Sequence, residues 1–148
     1  MNPSQLYDLH IEIKELSSLS QELVEPLMVK YDLTSVQYRA LQLIVLNESL
    51  AVKDVSNHLR IKPAAGTALI DRLERKSLIE RCHSEDDRRV VYIRATDSGK
   101  ESYHSINKCF TDIFNNFYGV LTEEETERLK QIVGKLTEHV SSCIDDQC

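Results

Sequence analysis

The sequence is short of the residues that punctuate a chain, with 4 glycines and 3 prolines among 148 residues. That scarcity disfavours a turn-rich β architecture and points to helices joined by short connections. Cysteine is sparse as well: Cys82, Cys109, Cys143 and Cys148 are spread without a Cys-x-x-Cys. A disulfide scaffold is not expected, because a chain of this length can bury an adequate core without staples. Reduced thiols and a cytoplasmic location are expected. No stretch approaches the ~18–20 apolar residues of a membrane span. The opening residues 1–15 lack the basic-then-apolar order of a signal peptide, so no membrane partner is expected. Catalytic signatures are missing too. There is no Gly-rich phosphate loop, no His-Glu-x-x-His, no Gly-x-Ser-x-Gly and no convincing acid pair. Cys82 and His83 are neighbours on an expected strand, where they point to opposite faces. Neither an enzyme nor a cofactor is expected.

What is present is ordinary globular material. Apolar residues make up 41% and charged residues 28%, in a length that suits one domain. The net charge of −6 conceals an asymmetry. Residues 60–94 hold nine of the 18 basic side chains and six of the 24 acidic ones, a local charge of +3. The remainder carries −9. Charge separated in this way favours a polyanionic partner for one part of the surface.

Periodicity supplies the elements. Leu6, Leu9, Ile13, Leu16, Ser20, Leu23 and Leu27 alternate spacings of three and four, a heptad seam with one polar interruption. The seam suits packing on another helix, of a second chain or of the same one; Pro26 should kink this helix or shape its end. Leu33-Thr34-x-x-Gln37 is a capping box with a staple onto Tyr38, opening a helix that ends near Asn47. After a link at 48–51, a third helix spans Val52 to Leu59. Arg60-Ile61-Lys62 then makes a tight connection. Pro63 starts a fourth helix, to about Lys76, where its missing N–H costs nothing. Leu78–His83 and Arg89–Ala95 read as a hairpin around the charged tip at 84–88. Thr96-Asp97-Ser98 opens a long helix, and Leu121-Thr122-x-x-Glu125 caps the last one.

Two short helices, a tight turn, a third helix and a hairpin make a winged helix-turn-helix. The fold class expected is mainly α, with a two-stranded β-wing and with N- and C-terminal helices forming a dimerisation lobe. The helix from Pro63 is the expected major-groove element, since an α-helix fits that groove and its first residues meet base edges. Ala64, Ala65 and Ala68 allow close approach, Thr67 can donate or accept, and Lys62, Arg72 and Arg75 reach phosphates. Arg88 and Arg89 on the wing tip suit the narrow minor groove, with Asp87 orienting one of them. The candidate DNA-binding residues are therefore Lys62, Thr67, Ala68, Arg72, Arg75, Asp87, Arg88 and Arg89.

The run Asp71-Arg72-Leu73-Glu74-x-Lys76-x-Leu78-Ile79-x-Arg81, then Asp87-Arg88-Arg89, then Ala95-Thr96-x-x-Gly99, resembles the MarR family of bacterial transcriptional regulators. The resemblance covers nearly the whole chain. It implies a homodimer whose first, fifth and sixth helices interlock, with 34–96 as the DNA-binding lobe and 1–31 and 97–148 as dimerisation helices of a single domain, 1–148. It also implies repression of a few promoters from a pseudo-palindromic operator, relieved by a small-molecule effector, an oxidant or a metal. Four positions depart from the family pattern. Lys62 stands where a Ser or Asp cap is usual, Ser77 replaces a common Gly, Ala68 often is Arg, and Gly66 lies inside the fourth helix.

Two variants of the same regulator stay open. Cys82, between Arg81 and His83, and Cys109, near Phe110, are the redox candidates, although redox sensors of this family typically carry their cysteine in the first helix, which here has none. His139 and Cys143 are four apart on one helix but fall short of the three or four ligands zinc takes, so no metal site is assigned. A third alternative keeps the winged fold as a protein-interaction module without DNA affinity.

Overall fold

The computed structural model describes residues 2–83 and 91–145. The wing tip at 84–90, with Asp87, Arg88 and Arg89, therefore lies outside the described residues. In order, the elements are α1 (Pro3–Lys30), α2 (Ser35–Leu46), β1 (Leu50–Ala51), α3 (Val52–Leu59), α4 (Pro63–Arg75), β2 (Ile79–His83), β3 (Val91–Ala95), α5 (Asp97–Tyr118) and α6 (Glu123–Asp145). The chain divides into two compact units, Met1–Phe110 and Thr111–Cys148.

In the first unit the core of the helix-turn-helix is built from one face of each helix. Met28 of α1, Leu41 and Ile44 of α2, Val55 of α3, Ile70 and Leu73 of α4, Ile93 of β3 and Ile106 of α5 are all fully buried. Tyr38 of α2 stacks on Tyr103 of α5 at 6.2 Å and meets Phe110 at 4.9 Å, an aromatic bridge between those helices. Burial pushes the Tyr38 phenol up to about 12, with a smaller contribution from neighbouring Tyr103.

The expected capping box at Thr34 is present. Gln37 N–H donates to Thr34 Oγ1 at 3.2 Å, and Thr34 N–H donates back to Gln37 Oε1 at 2.9 Å. The expected hairpin is present in its strands, with β2 antiparallel to β3 from Ile79↔Ala95 to His83↔Val91. The sheet has a third member. Leu50 and Ala51, read from sequence as a link, pair with Ile93 and Tyr92, giving the order β1-β3-β2. Pro26 does not end α1, which continues to Lys30 and buries Leu27 and Met28 beyond it.

Four helices end on a left-handed residue that is not glycine: Asp32, Glu48, Arg60 and Ser77 have φ of 50°, 56°, 53° and 57°. After Asp32, Arg60 and Ser77 the next N–H reaches back to a carbonyl five residues earlier: Leu33 to Met28, Ile61 to Ser56, and Leu78 to Leu73, at 3.0–3.1 Å. These are Schellman closures made without the glycine that usually relieves them. A chain poor in glycine thus turns its helices with ordinary side chains, each at some conformational cost.

The rest of α1 is unlike a core helix. Leu6, Leu9, Ile13, Leu16 and Leu23 of the seam are each about half exposed. In the second unit, Thr122 and Glu125 cap α6 reciprocally. Thr122 N–H donates to Glu125 Oε2 at 2.8 Å, and Glu125 N–H donates to Thr122 Oγ1 at 3.2 Å. Those hydrogen bonds hold the Glu125 carboxyl below its ordinary range. Leu129, Ile132, Val133, Leu136, Val140 and Ile144 of α6 are likewise exposed apolar side chains. No helix among the described residues is long and apolar enough to cross a membrane.

Candidate nucleic-acid interface

Helix α4 begins at Pro63, whose absent N–H falls in the first turn, where no intrahelical partner exists. Gly66, Leu69, Ile70 and Leu73 form its buried face. Lys62, Ala64, Ala65, Thr67, Ala68, Arg72 and Arg75 are exposed. The structure thus gathers the expected α4 contacts on one open surface that is small-sided at the N-terminus and cationic later. Lys62 stands at the N-cap without a side-chain hydrogen bond to the helix, so its ammonium is not committed there. Thr67 Oγ1 donates to the Pro63 carbonyl at 3.2 Å, leaving its oxygen lone pairs as outward acceptors. Arg75 leans back along the helix, its Nε donating to the Asp71 carbonyl at 3.3 Å. Neither Arg72 nor Arg75 makes an ion pair among the described residues.

Gly66 has a packing reason that the sequence does not disclose. A Cβ there would fall 1.9 Å from Ser56 Oγ and 3.0 Å from Ser56 Cβ. Ser56 is itself buried on α3 and turns its hydroxyl onto the Val52 carbonyl at 3.1 Å. Glycine lets α3 and α4 approach at this crossing, which sets how far α4 stands out of the unit. Its helix-propensity cost of about 1 kcal/mol relative to Ala is the counterpart of that contact.

The C-terminal end of α4 is tethered twice. Near its end Arg81, on β2, donates from Nη2 to Asp71 Oδ1 at 2.5 Å and from Nη1 to Glu74 Oε2. These contacts raise the Arg81 guanidinium above its ordinary range, the Asp71 hydrogen bond most of all. Lys76, the C-cap residue, pairs with Asp32 Oδ2 at 2.5 Å and with the Asp32 carbonyl, tying the end of α4 to the turn after α1. The Thr96-x-x-Gly99 motif acts at the next junction. Thr96 Oγ1 donates to the Ser77 carbonyl at 2.7 Å and accepts from Gly99 N–H at 3.0 Å, while Thr96 N–H donates to the Leu78 carbonyl at 3.1 Å. The motif is thereby a clamp that fixes the start of α5 on the turn after α4.

The wing residues Asp87, Arg88 and Arg89 fall on the segment between β2 and β3 that lies outside the described residues. Cys82 on β2 and Cys109 on α5 are both half-buried, whereas Cys143 on α6 is exposed. Among the described residues no three His, Cys, Asp or Glu side chains gather into a metal-holding group. A cleft of about 1040 Å³ is lined by Ile44, Glu48, Glu80, Arg94, Lys100 and His104, among others. A smaller one of about 350 Å³ lies beside the Lys76–Asp32 pair. Sequence reasoning missed Arg81 as a site residue. Its only signal was its place in the run from Asp71.

Comparison with known proteins supplies names for this arrangement. A family model described as the MarR family matches residues 33–91. The HTH-type transcriptional repressor MdtR of Bacillus subtilis is 31% identical over 132 residues, 88% of this chain and 84% of that protein. Among solved structures, the YusO protein of Bacillus subtilis superposes with a TM-score of 0.69 at 30% identity, covering 93% of this chain and 99% of its own. A mutant MarR from E. coli complexed with operator DNA gives a TM-score of 0.79 at 21% identity, covering 89% and 95%, and so shares the fold.

Proposed function

The chain belongs to the MarR family of transcriptional regulators, and from that membership we propose that it is a sequence-specific, ligand-responsive repressor that binds DNA as a homodimer. The observation that carries this reading is the open face of α4, where Lys62, Thr67, Ala68, Arg72 and Arg75 stand exposed beside small alanines. Alanine side chains let the helix backbone approach base edges, and the flanking cations meet phosphates. Asp87, Arg88 and Arg89 complete the interface from the wing tip, entering an adjacent minor groove. Residues 34–96 act as the DNA-binding lobe, and 1–31 with 97–148 supply the dimerisation helices.

Dimerisation is supported by apolar surface. The half-exposed leucines and isoleucines of α1 and the exposed apolar face of α6 are larger than isolated surface hydrophobics warrant. A two-fold dimer reads a pseudo-palindromic operator with half-sites about 10–10.5 bp apart, or a multiple of that spacing. A small-molecule effector shifts the population between dimers whose two α4 helices match that spacing and dimers whose helices do not. The regulator then works in the bacterial cytoplasm, where its operator is.

The test is a gel shift of the full-length protein on the DNA upstream of its own coding sequence, with unrelated competitor DNA. A specific shift, with two chains per operator and an affinity that falls steeply with salt, is expected. Absence of any specific shift overturns the reading in favour of a winged-helix interaction module. Repeating the shift with peroxide, and with zinc and chelator, separates an oxidant- or metal-responsive version from one relieved by an organic effector.

A further inference from the structure

Helix α4 carries an electrostatic conflict. Between Asp71 and Arg75 it holds two carboxylates and two guanidinium groups, so taken alone this half of the helix is neutral. A helix that approaches phosphates gains nothing from neutrality, and unscreened carboxylates at the interface repel the duplex. Asp71 and Glu74 are three residues apart and share one face. Arg72 and Arg75 have the same spacing on the face rotated by about 100°. The two pairs are therefore separable by a partner that takes one pair and leaves the other.

Arg81 is such a partner. Its guanidinium uses separate nitrogens for the two acids, Nη2 to Asp71 and Nη1 to Glu74, which a planar fork can do and an ammonium cannot do with the same geometry. Its backbone is held in register opposite Ile93, the fully buried residue of the central strand β3. The side chain is half-buried while both carboxylates are partly exposed, so without Arg81 their charge would face the solvent that a duplex shares.

We propose that Arg81 is a positioning residue for DNA recognition: by holding Asp71 and Glu74 it masks the acidic face of α4 and leaves Arg72 and Arg75 as the charges the helix presents to phosphates. This inference rests on the DNA-binding function proposed above and adds to it a residue that does not itself touch DNA. It also gives the run Asp71-Arg72-x-Glu74 followed by Arg81 a single physical purpose. The helix can keep carboxylates that fix its orientation on the sheet without presenting them to the duplex.

The experiment measures operator affinity over a salt series for the full-length wild type, for Arg81→Gln, and for Arg81→Gln combined with Asp71→Asn and Glu74→Gln. Thermal unfolding is followed in parallel. Arg81→Gln should weaken binding roughly tenfold at low salt, and the gap should narrow as salt screens the exposed carboxylates. The triple variant should return to within about threefold of the wild type, because it removes the charges that Arg81 masks. A brace that only holds α4 in place would not be rescued by deleting its partners. The inference is overturned if Arg81→Gln binds as tightly as wild type, or if the triple variant remains as weak as the single one. Failure of the wild type itself to bind specifically would overturn the DNA-binding function and this inference together.

Discussion

Gly99 lies against the backbone of Leu78 so closely that a Cβ on residue 99 would fall 1.9 Å from the Leu78 carbonyl oxygen and 2.9 Å from its carbon. That oxygen is already the acceptor for Thr96 N–H. Glycine at position 99 and threonine at position 96 are therefore one device, with the hydroxyl closing the junction and the missing side chain allowing it to close. Backbone atoms offer no rotamer through which to yield.

Gly99→Ala should accordingly destabilise the protein by about 1–3 kcal/mol, the usual penalty of overpacking. Thr96→Val should cost about 1 kcal/mol by removing both hydrogen bonds of the hydroxyl. Urea unfolding of both variants checks the pair, and a Gly99→Ala protein as stable as wild type would contradict the close approach.

The crossing of α3 on α4 yields a compensating pair. Gly66→Ala alone should destabilise by about 1–3 kcal/mol despite alanine's better helix propensity. Combining it with Ser56→Gly removes the atoms at 1.9 and 3.0 Å and leaves the Ser56 Cα position at 3.6 Å, an ordinary contact. A double-mutant cycle should therefore show favourable coupling between positions 56 and 66. Simple additivity would place the constraint elsewhere.

Ser77 predicts a gain. It holds φ of 57° at the end of α4, where a side chain is disfavoured and glycine is not. Ser77→Gly should raise stability by roughly 0.5–1 kcal/mol, the relief of strain less the added entropy of the unfolded chain. The Thr96 bond uses the Ser77 carbonyl and survives the change. An increased urea midpoint with an unchanged m-value is the expected result.

Arg88→Ala with Arg89→Ala should weaken operator binding and flatten the dependence of log affinity on log salt, by roughly one unit for each phosphate no longer neutralised. Arg72→Ala and Arg75→Ala should each reduce the slope without changing which operator is preferred, as phosphate contacts carry no sequence information. Anisotropy titrations at several salt concentrations on cognate and altered operators distinguish these outcomes.

The pH dependence turns on Tyr38. Its phenol is pushed up to about 12 from an ordinary value near 10 by burial. A raised acid favours its neutral form in the fold, so this contribution to stability is complete below pH about 10. It is lost as pH rises from there towards 12. A spectrophotometric titration should show a late tyrosine phase towards pH 12. Tyr38→Phe should remove that late phase and make the protein less sensitive to alkali between pH 10 and 12.

Much of this architecture is legible in the residues because its signals are local. Thr34 with Gln37 and Thr122 with Glu125 announce helix starts within four residues, and Pro63 announces α4 by what it lacks. β1 is not legible, since two residues have no periodicity and pair only because β3, some forty positions later, lies alongside. Helix α3 spans Val52–Leu59 as the sequence predicts, although Ala51 supplies no side-chain cap. The roles of Gly66 and Arg81 are hidden. Gly66 needs knowledge of what crosses the helix, and Arg81 sits seven and ten residues from the acids it serves.

The short strand β1 has one further consequence. Leu50 and Ala51 lead directly into α3, whose neighbour is α4, and they bond to β3, which leads out of the wing. The helix-turn-helix and the base of the wing therefore share one hydrogen-bonded frame. Five pairs with β2 hold β3 and its buried Ile93 in place, so a one-residue slip of β1 would turn Leu50 and Ala51 to the opposite face. Under the proposed function, that frame sets the opening between α4 and the foot of the wing at His83 and Val91. A chain of few glycines sets that opening with two residues.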